Sequence, residues 1–400
     1  MSQVQTASAA LPMKTYSAVT ASTEAVAIPW AIGFMLVGTS CSVVGAALDV
    51  ASHMSIGRDS FWTPGHVLTQ MEGLLAGIAC LYTILTTTFA STSMARGASV
   101  QILGFRAPVG AFMGLWGFIA MLASAPFDNW WHNAYGLDTK LVTPPHLLLS
   151  LGGFVIKTGT LAWAASLINR SSGALRGRLQ WVLLIVGAIC VTQLAGLSSG
   201  PWLTLLRNMH TARCYLAIAI FVPTMLIATR WGSAHKWGCT IIAALCMSIA
   251  LAAEWLLPLI PAQPKLGPVY HNVTHLIPYG FPLLLIVPAF IADILLQRLE
   301  QRSFWIKALW VGPTFVLSLM AVQWPFANFL MSPASRNWIF GTAYFAYGEP
   351  AGVLFDPYKF NVVEKTPAEF VLTVMAALLV SVLTTRLGLS YGNWMRRVQR

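Results

Sequence analysis

The chain has 400 residues, of which 56% are hydrophobic and only 9% are charged. That is too little polar surface to cover a water-soluble globule, which normally carries about a quarter charged residues. The formal charge of +11 invites a nucleic-acid partner, but the basic residues sit in short segments between apolar runs, so no nucleic acid is expected.

In chain order, residues 1–24 are polar and lack a basic start followed by a cleavage site, so they read as a mature tail and not as a signal peptide. Ten apolar runs follow, each close to the roughly 20 residues that a spanning helix needs: 26–48, 65–90, 107–126, 145–168, 179–199, 211–229, 236–257, 274–296, 304–326 and 366–388. The expected architecture is all-α. It is a polytopic integral membrane bundle of about ten transmembrane helices, one domain over 25–390 followed by a basic tail, 391–400. The stretch 327–365, rich in Trp, Phe, Tyr and Pro, is expected to fold back as a cap or re-entrant segment.

Charge gives the orientation. Fifteen of the 24 Lys and Arg fall on the side of the N-terminal tail, among them Arg96, Arg106, Arg170, Arg176, Arg178, Arg298, Arg302, Arg396, Arg397 and Arg400. The positive-inside rule then places both termini in the cytoplasm. Six cysteines lie within or beside the runs and none forms a Cys-x-x-Cys pair. They read as small buried apolar residues, with neither a disulfide framework nor a thiolate zinc site indicated.

A repeat stands out. The first helical hairpin, 26–90, contains Asp49 and His53, then Asp59 six residues later, then Thr63-Pro64-Gly65-His66 opening the next run. The second, 105–170, contains Asp128 and His132, then Asp138, then Thr143-Pro144-Pro145-His146, with one extra residue in its loop. A fainter echo, Thr366-Pro367-Ala368-Glu369, opens the last run with Glu in place of His.

Residues four apart share a helix face, so Asp49 with His53, and Asp128 with His132, can point a carboxylate and an imidazole at one ion. Proline in the first turn of the next helix costs little, and His66 or His146 then projects back to complete a trio. Two imidazoles and a carboxylate suit copper, zinc or non-haem iron and argue against calcium or magnesium. Open coordination positions are what a catalytic ion needs. A lone Asp-x-x-x-His pair reads most simply as a cap or a hydrogen-bonded pair. Duplication of the pair, with a third ligand at the same topological point, favours metal. Seven of the eight histidines, all but His235, fall on the non-cytoplasmic side.

Weaker candidates accompany the trios. Glu254, His271 and His275 form a further metal site, lend ligands to the first two, or line a polar vestibule, and His210 is undecided. Glu72 and Lys157, below His66 and His146, read either as a proton route or as an intramembrane ion pair. Trp62, Trp130, Trp131 and Tyr135 read as an interfacial belt in preference to a substrate cage.

The stretch Asp49, His53, Arg58-Asp59, Phe61, Thr63-Pro64 and His66 resembles the Asp-x3-His-x12-His copper motif of the C subunit of copper membrane monooxygenases, the particulate methane and ammonia monooxygenases. Asp128, His132 and His146 are similar to that subunit's second trio, with thirteen residues between the histidines. A methane-oxidising member would carry Asn where Asp128 stands. The resemblance covers roughly residues 26–170, and the later residues carry no motif of that family. It implies copper, with iron or zinc as alternatives, and O2-dependent hydroxylation of a small apolar substrate or ammonia. It also implies other monooxygenase-type subunits as partners beside the lipid bilayer, and the expected setting is a bacterial inner membrane. The competing reading is a copper- or zinc-handling protein for transport, delivery or sensing. A ligand cluster on one face and no Met/Cys ladder count against conduction. A third reading is a structural subunit whose His/Asp loops dock a partner.

Overall fold

In hydrocarbon every backbone N–H and C=O needs a partner within the protein, which drives each apolar run to close into a helix. The computed structural model describes residues 28–56, 62–90, 96–135, 143–199, 211–263, 274–278, 280–330, 332–341 and 364–400. The N-terminal tail, His210, His271 and most of the 327–365 stretch lie outside the described residues. Ten α-helices lie within them: α1 (Trp30–Ser55), α2 (Pro64–Leu85), α3 (Val109–Tyr135), α4 (Pro144–Arg170), α5 (Gly173–Ser199), α6 (Ala212–Ser233), α7 (Gly238–Leu256), α8 (Ile286–Arg298), α9 (Phe304–Leu330) and α10 (Pro367–Met395). Nine stretches built on these helices are long and apolar enough to cross a bilayer. The protein is an all-α integral membrane bundle.

The two repeat hairpins are α1–α2 and α3–α4, joined by packing of α2 on α3 and of α1 on α4. Small residues bring α3 and α4 together: a Cβ on Gly117 would lie 2.5 Å from the Gly152 carbonyl oxygen, and one on Gly159 would lie 2.8 Å from that of Gly110. The largest core is centred on α4, α5 and α6, where Ile156, Leu183, Leu184, Tyr215 and Ile218 are fully enclosed. The last helix, α10, runs along α6 and against α9. Its Leu372, Met375, Leu379, Leu383 and Leu387 form an exposed apolar stripe at helical spacing, a surface that only lipid or another apolar partner can cover. Five of the six cysteines are buried and all six are unbridged, as expected of small apolar residues.

The eighth expected span departs from the sequence reading. Only Ile286–Arg298, 13 residues, is helical. The described part of 274–285 is irregular, because Pro278 and Pro282 supply no backbone donor and Gly280 adopts a positive φ of 100°. Side chains replace the missing helix bonds. The Ile277 N–H donates to Ser55 Oγ at 2.7 Å, the Gly280 N–H to Glu254 Oε2 at 3.1 Å, and the Leu284 N–H to Gln323 Oε1 at 2.9 Å. Irregular backbone at membrane depth is tolerated only with such partners. This segment packs through Leu276 on Ala47, Leu48 and Ala51, so it lies against the end of α1 that bears Asp49. Just beyond α9, Ile339 meets the end of α7, where Trp255 Nε1 donates to its carbonyl at 2.9 Å. Between α2 and α3 a two-stranded hairpin, Val100–Ile102 with Phe105–Ala107, turns at Leu103 and Gly104, both with positive φ.

Candidate metal centre

The first trio is built by a helix end and a helix start. Asp49 and His53 lie one turn apart in the last turns of α1, and Thr63 caps α2 by accepting the His66 N–H at 3.4 Å. Pro64 occupies the first helical position, so His66 falls at the third, whose side chain leans back over the cap. Gly65 lets the two helices meet, because a Cβ there would lie 2.8 Å from the Asp49 nitrogen and 2.9 Å from its Cα and Cβ. The outcome is convergence. Asp49 Oδ1 lies 3.0 Å from His66 Nε2 and 3.8 Å from His53 Nε2. The imidazole centroids are 6.5 Å apart.

These distances test whether an ion fits. Two ligands roughly 2.1 Å from one metal at tetrahedral to octahedral angles are themselves roughly 3.0–3.4 Å apart. Of the three donor pairs, the closer Asp–His pair meets that range, the other is about 0.4 Å wider, and the two imidazoles' donor atoms lie within 4.8 Å of each other. Among the described residues, only this trio brings one donor atom of each member within 4.8 Å of the others. Asp49 Oδ1 is buried, and the partner it meets is His66 Nε2 at 3.0 Å. An enclosed carboxylate is costly unless its charge is balanced, and a cation held with the two imidazoles would balance it.

The second trio repeats the plan more loosely. His132 Nε2 lies 3.4 Å from Asp128 Oδ2, and His146 Nε2 lies 3.6 Å from Asp128 Oδ1, so the imidazoles approach different oxygens. Asp128 Oδ1 is likewise buried. At the position that Gly65 holds in the first trio, the second has Pro145, which is buried at the start of α4. Packing of α1 on α4 also puts His146 within electrostatic reach of Asp49. Trp130 and Tyr135 at this end of α3 are exposed, as is Trp62 before α2.

The remaining candidates take other partners. Glu254 is buried at the end of α7 and receives the Gly280 N–H, whereas His275 Nδ1 pairs with the Thr274 hydroxyl at 2.9 Å. Lys157 Nζ and Glu72 Oε2 form a direct ion pair at 2.8 Å, both buried, tying α4 to α2. Glu369, the echo of His66 at the start of α10, takes part in capping that helix. Its N–H donates to Thr366 Oγ1 at 3.1 Å, its carboxylate accepts the Lys365 N–H at 2.9 Å, and it pairs with Arg213. The same Thr-Pro start therefore supports a cap or a ligand, depending on the third helical residue. Ser55, Gly65 and Gln323 support this region without having stood out in the sequence.

The chain matches no family model, no curated protein and no solved structure. The chemistry must therefore be argued from the site. Two imidazoles and one carboxylate, half-buried at the end of a helical bundle, form a mixed nitrogen and oxygen donor set suited to copper, zinc or iron.

Proposed function

We propose that this chain is a membrane-bound copper-binding protein of the oxygenase type, akin to the C subunit of copper membrane monooxygenases. The observation that carries this reading is the convergence of the buried Asp49 Oδ1 with the Nε2 atoms of His66 and His53, at 3.0 and 3.8 Å, in an arrangement repeated more loosely one hairpin later. Asp49, His53 and His66 would hold one copper ion, and Asp128, His132 and His146 a second. When bound, copper supplies the redox chemistry that O2-dependent hydroxylation needs. The residues themselves hold and shield. Each carboxylate offsets cationic charge, each imidazole offers Nε2, and the apolar helix ends around Ala47, Leu48 and Ala51 restrict water. That setting suits a small apolar substrate or ammonia, and further monooxygenase-type subunits would cover the exposed apolar faces that lipid does not. By the distribution of Lys and Arg, the trios face away from the cytoplasm.

A second reading, copper or zinc handling without oxygenase chemistry, draws on Cys80 Sγ and Met35 Sδ. They are buried 3.7 Å apart and are soft donors of the kind a Cu(I) path uses. One experiment separates the two. Copper-loaded protein in lipid vesicles is given a reductant and either a small alkane or ammonia, with O2 uptake and copper flux measured together. Substrate-dependent O2 uptake that is lost in His53→Ala supports the oxygenase. Copper flux with no O2 uptake replaces it with the handling role.

A further inference from the structure

We propose that the end of the bundle opposite the trios carries a binding site for a phosphate-type anion, filled by the headgroup of an anionic glycerophospholipid. Four cations gather there around three aromatic rings. Lys307 Nζ lies 4.6 Å, Arg396 Cζ 4.7 Å and Arg230 Cζ 5.6 Å from the centre of the Trp231 ring. Arg386 Cζ lies 5.5 Å from Phe304 and 5.3 Å from Trp305. The rings are continuous, since Trp231 meets Phe304 edge-on at 5.5 Å.

Negative charge does not match this gathering. Asp293 is the carboxylate paired with Arg230, at 3.4 Å, and its oxygens already accept the Cys239 N–H, the Thr240 N–H and the Thr240 hydroxyl at the start of α7. Lys307 is buried and donates to the Glu300 carbonyl at 2.9 Å; the Glu300 carboxylate acts on it through space, with no salt bridge within 4.0 Å among the described residues. Arg396 lies just beyond α10, donates to the Trp231 carbonyl at 2.6 Å, and is held below arginine's ordinary pKa by partial burial and then by Arg230, with Glu300 opposing. Two further donors lack acceptors. The indole N–H of Trp231, a residue only 7% exposed, and Arg386 Nε are both enclosed without a hydrogen-bond partner among the described residues.

Unpaired cations and unmatched N–H groups are each costly when withdrawn from water. A phosphate offers several acceptor oxygens and at least one negative charge to the same locus. Its natural source here is lipid, because the cluster lies at the ends of spanning helices, where headgroups sit, on the side that charge assigns to the cytoplasm. Basic pockets between helices on that side are a recognised means of holding anionic headgroups.

The test uses the full chain in detergent, titrated in native mass spectrometry with phosphatidylglycerol and with phosphatidylcholine of identical acyl chains, with inorganic phosphate as competitor. Phosphatidylglycerol is expected to bind about tenfold more tightly than phosphatidylcholine. Arg396→Gln lies outside the helices and should fold normally. It is expected to lose roughly tenfold of that affinity, the scale of one charge-assisted hydrogen bond. Trp231→Phe keeps the ring, removes the N–H and is expected to lose several-fold, whereas Arg302→Gln on the same side leaves affinity unchanged. Equal retention of the two lipids, or an equal loss in Arg302→Gln and Arg396→Gln, overturns the site. Displacement of phosphatidylglycerol by low-millimolar phosphate overturns its assignment to lipid.

Discussion

The substitution Gly65→Ala isolates the geometry of the first trio from its chemistry, because it leaves all three ligands in place. The added methyl would lie 2.8–2.9 Å from three atoms of Asp49, two of them main-chain atoms that cannot swing aside. Restoring ordinary contact of about 3.4 Å requires α2 to retreat from α1 by roughly half an ångström, carrying His66 with it. A metal site tolerates about 0.2 Å in its ligand distances, so the shift exceeds the tolerance. The expected loss is about ten- to a hundredfold in copper affinity, the range seen when a ligand's supporting groups are disturbed. Helix stability works in the opposite direction, since Ala is a better helix former than Gly by about 1 kcal/mol in a helix interior and by less in a first turn. The assay is competitive copper titration against a chelating indicator, with thermal unfolding followed in parallel. A folded Gly65→Ala protein that binds copper as tightly as the parent would refute the reasoning.

Other expectations follow from the same contacts. Pro145→Gly should let α4 approach Asp128 as α2 approaches Asp49, tightening copper at the second trio several-fold in the same titration while lowering thermal stability slightly. Glu72→Gln leaves Lys157 buried beside a neutral amide and is expected to cost about 3–5 kcal/mol in denaturant unfolding, whereas Glu72→Leu with Lys157→Leu together should cost far less. Ser55→Ala removes the acceptor of the Ile277 N–H. It should cost about 1–3 kcal/mol and speed hydrogen exchange at Ile277 selectively.

Much of this arrangement is legible in the sequence, for identifiable reasons. Length and apolarity locate the spans because a bilayer leaves helices as the only way for such runs to cross it. The trios are legible because a four-residue spacing in a helix and a His at the third helical position are geometric statements in themselves. What resisted reading lies where neighbours decide. The run 274–296 is apolar enough to span, but Pro278, Gly280 and Pro282 interrupt it, and the side chains that replace its helix bonds come from α1, α7 and α9. Those three breakers within five residues were the available signal. The cap at Thr366 and Glu369 was likewise readable from its own spacing, without reference to the trios. Gly65 and Pro145 occupy one position of the repeat, and the close approach that Gly65 permits emerges only when the facing helix is in place. The cation cluster at Trp231 joins α6, α9 and the end of α10 with the residue after it, separated by more than 70 residues at each step, so no local pattern announces it.

Copper content per chain, with X-ray absorption to identify its ligands, tests the central claim most directly. The parent protein purified in lipid and reconstituted with copper is expected to hold two ions per chain, ligated by imidazole and carboxylate, with one remaining in His53→Ala and none in His53→Ala/His132→Ala. Equal metal content in all three, or a ligand shell without imidazole, would contradict the account.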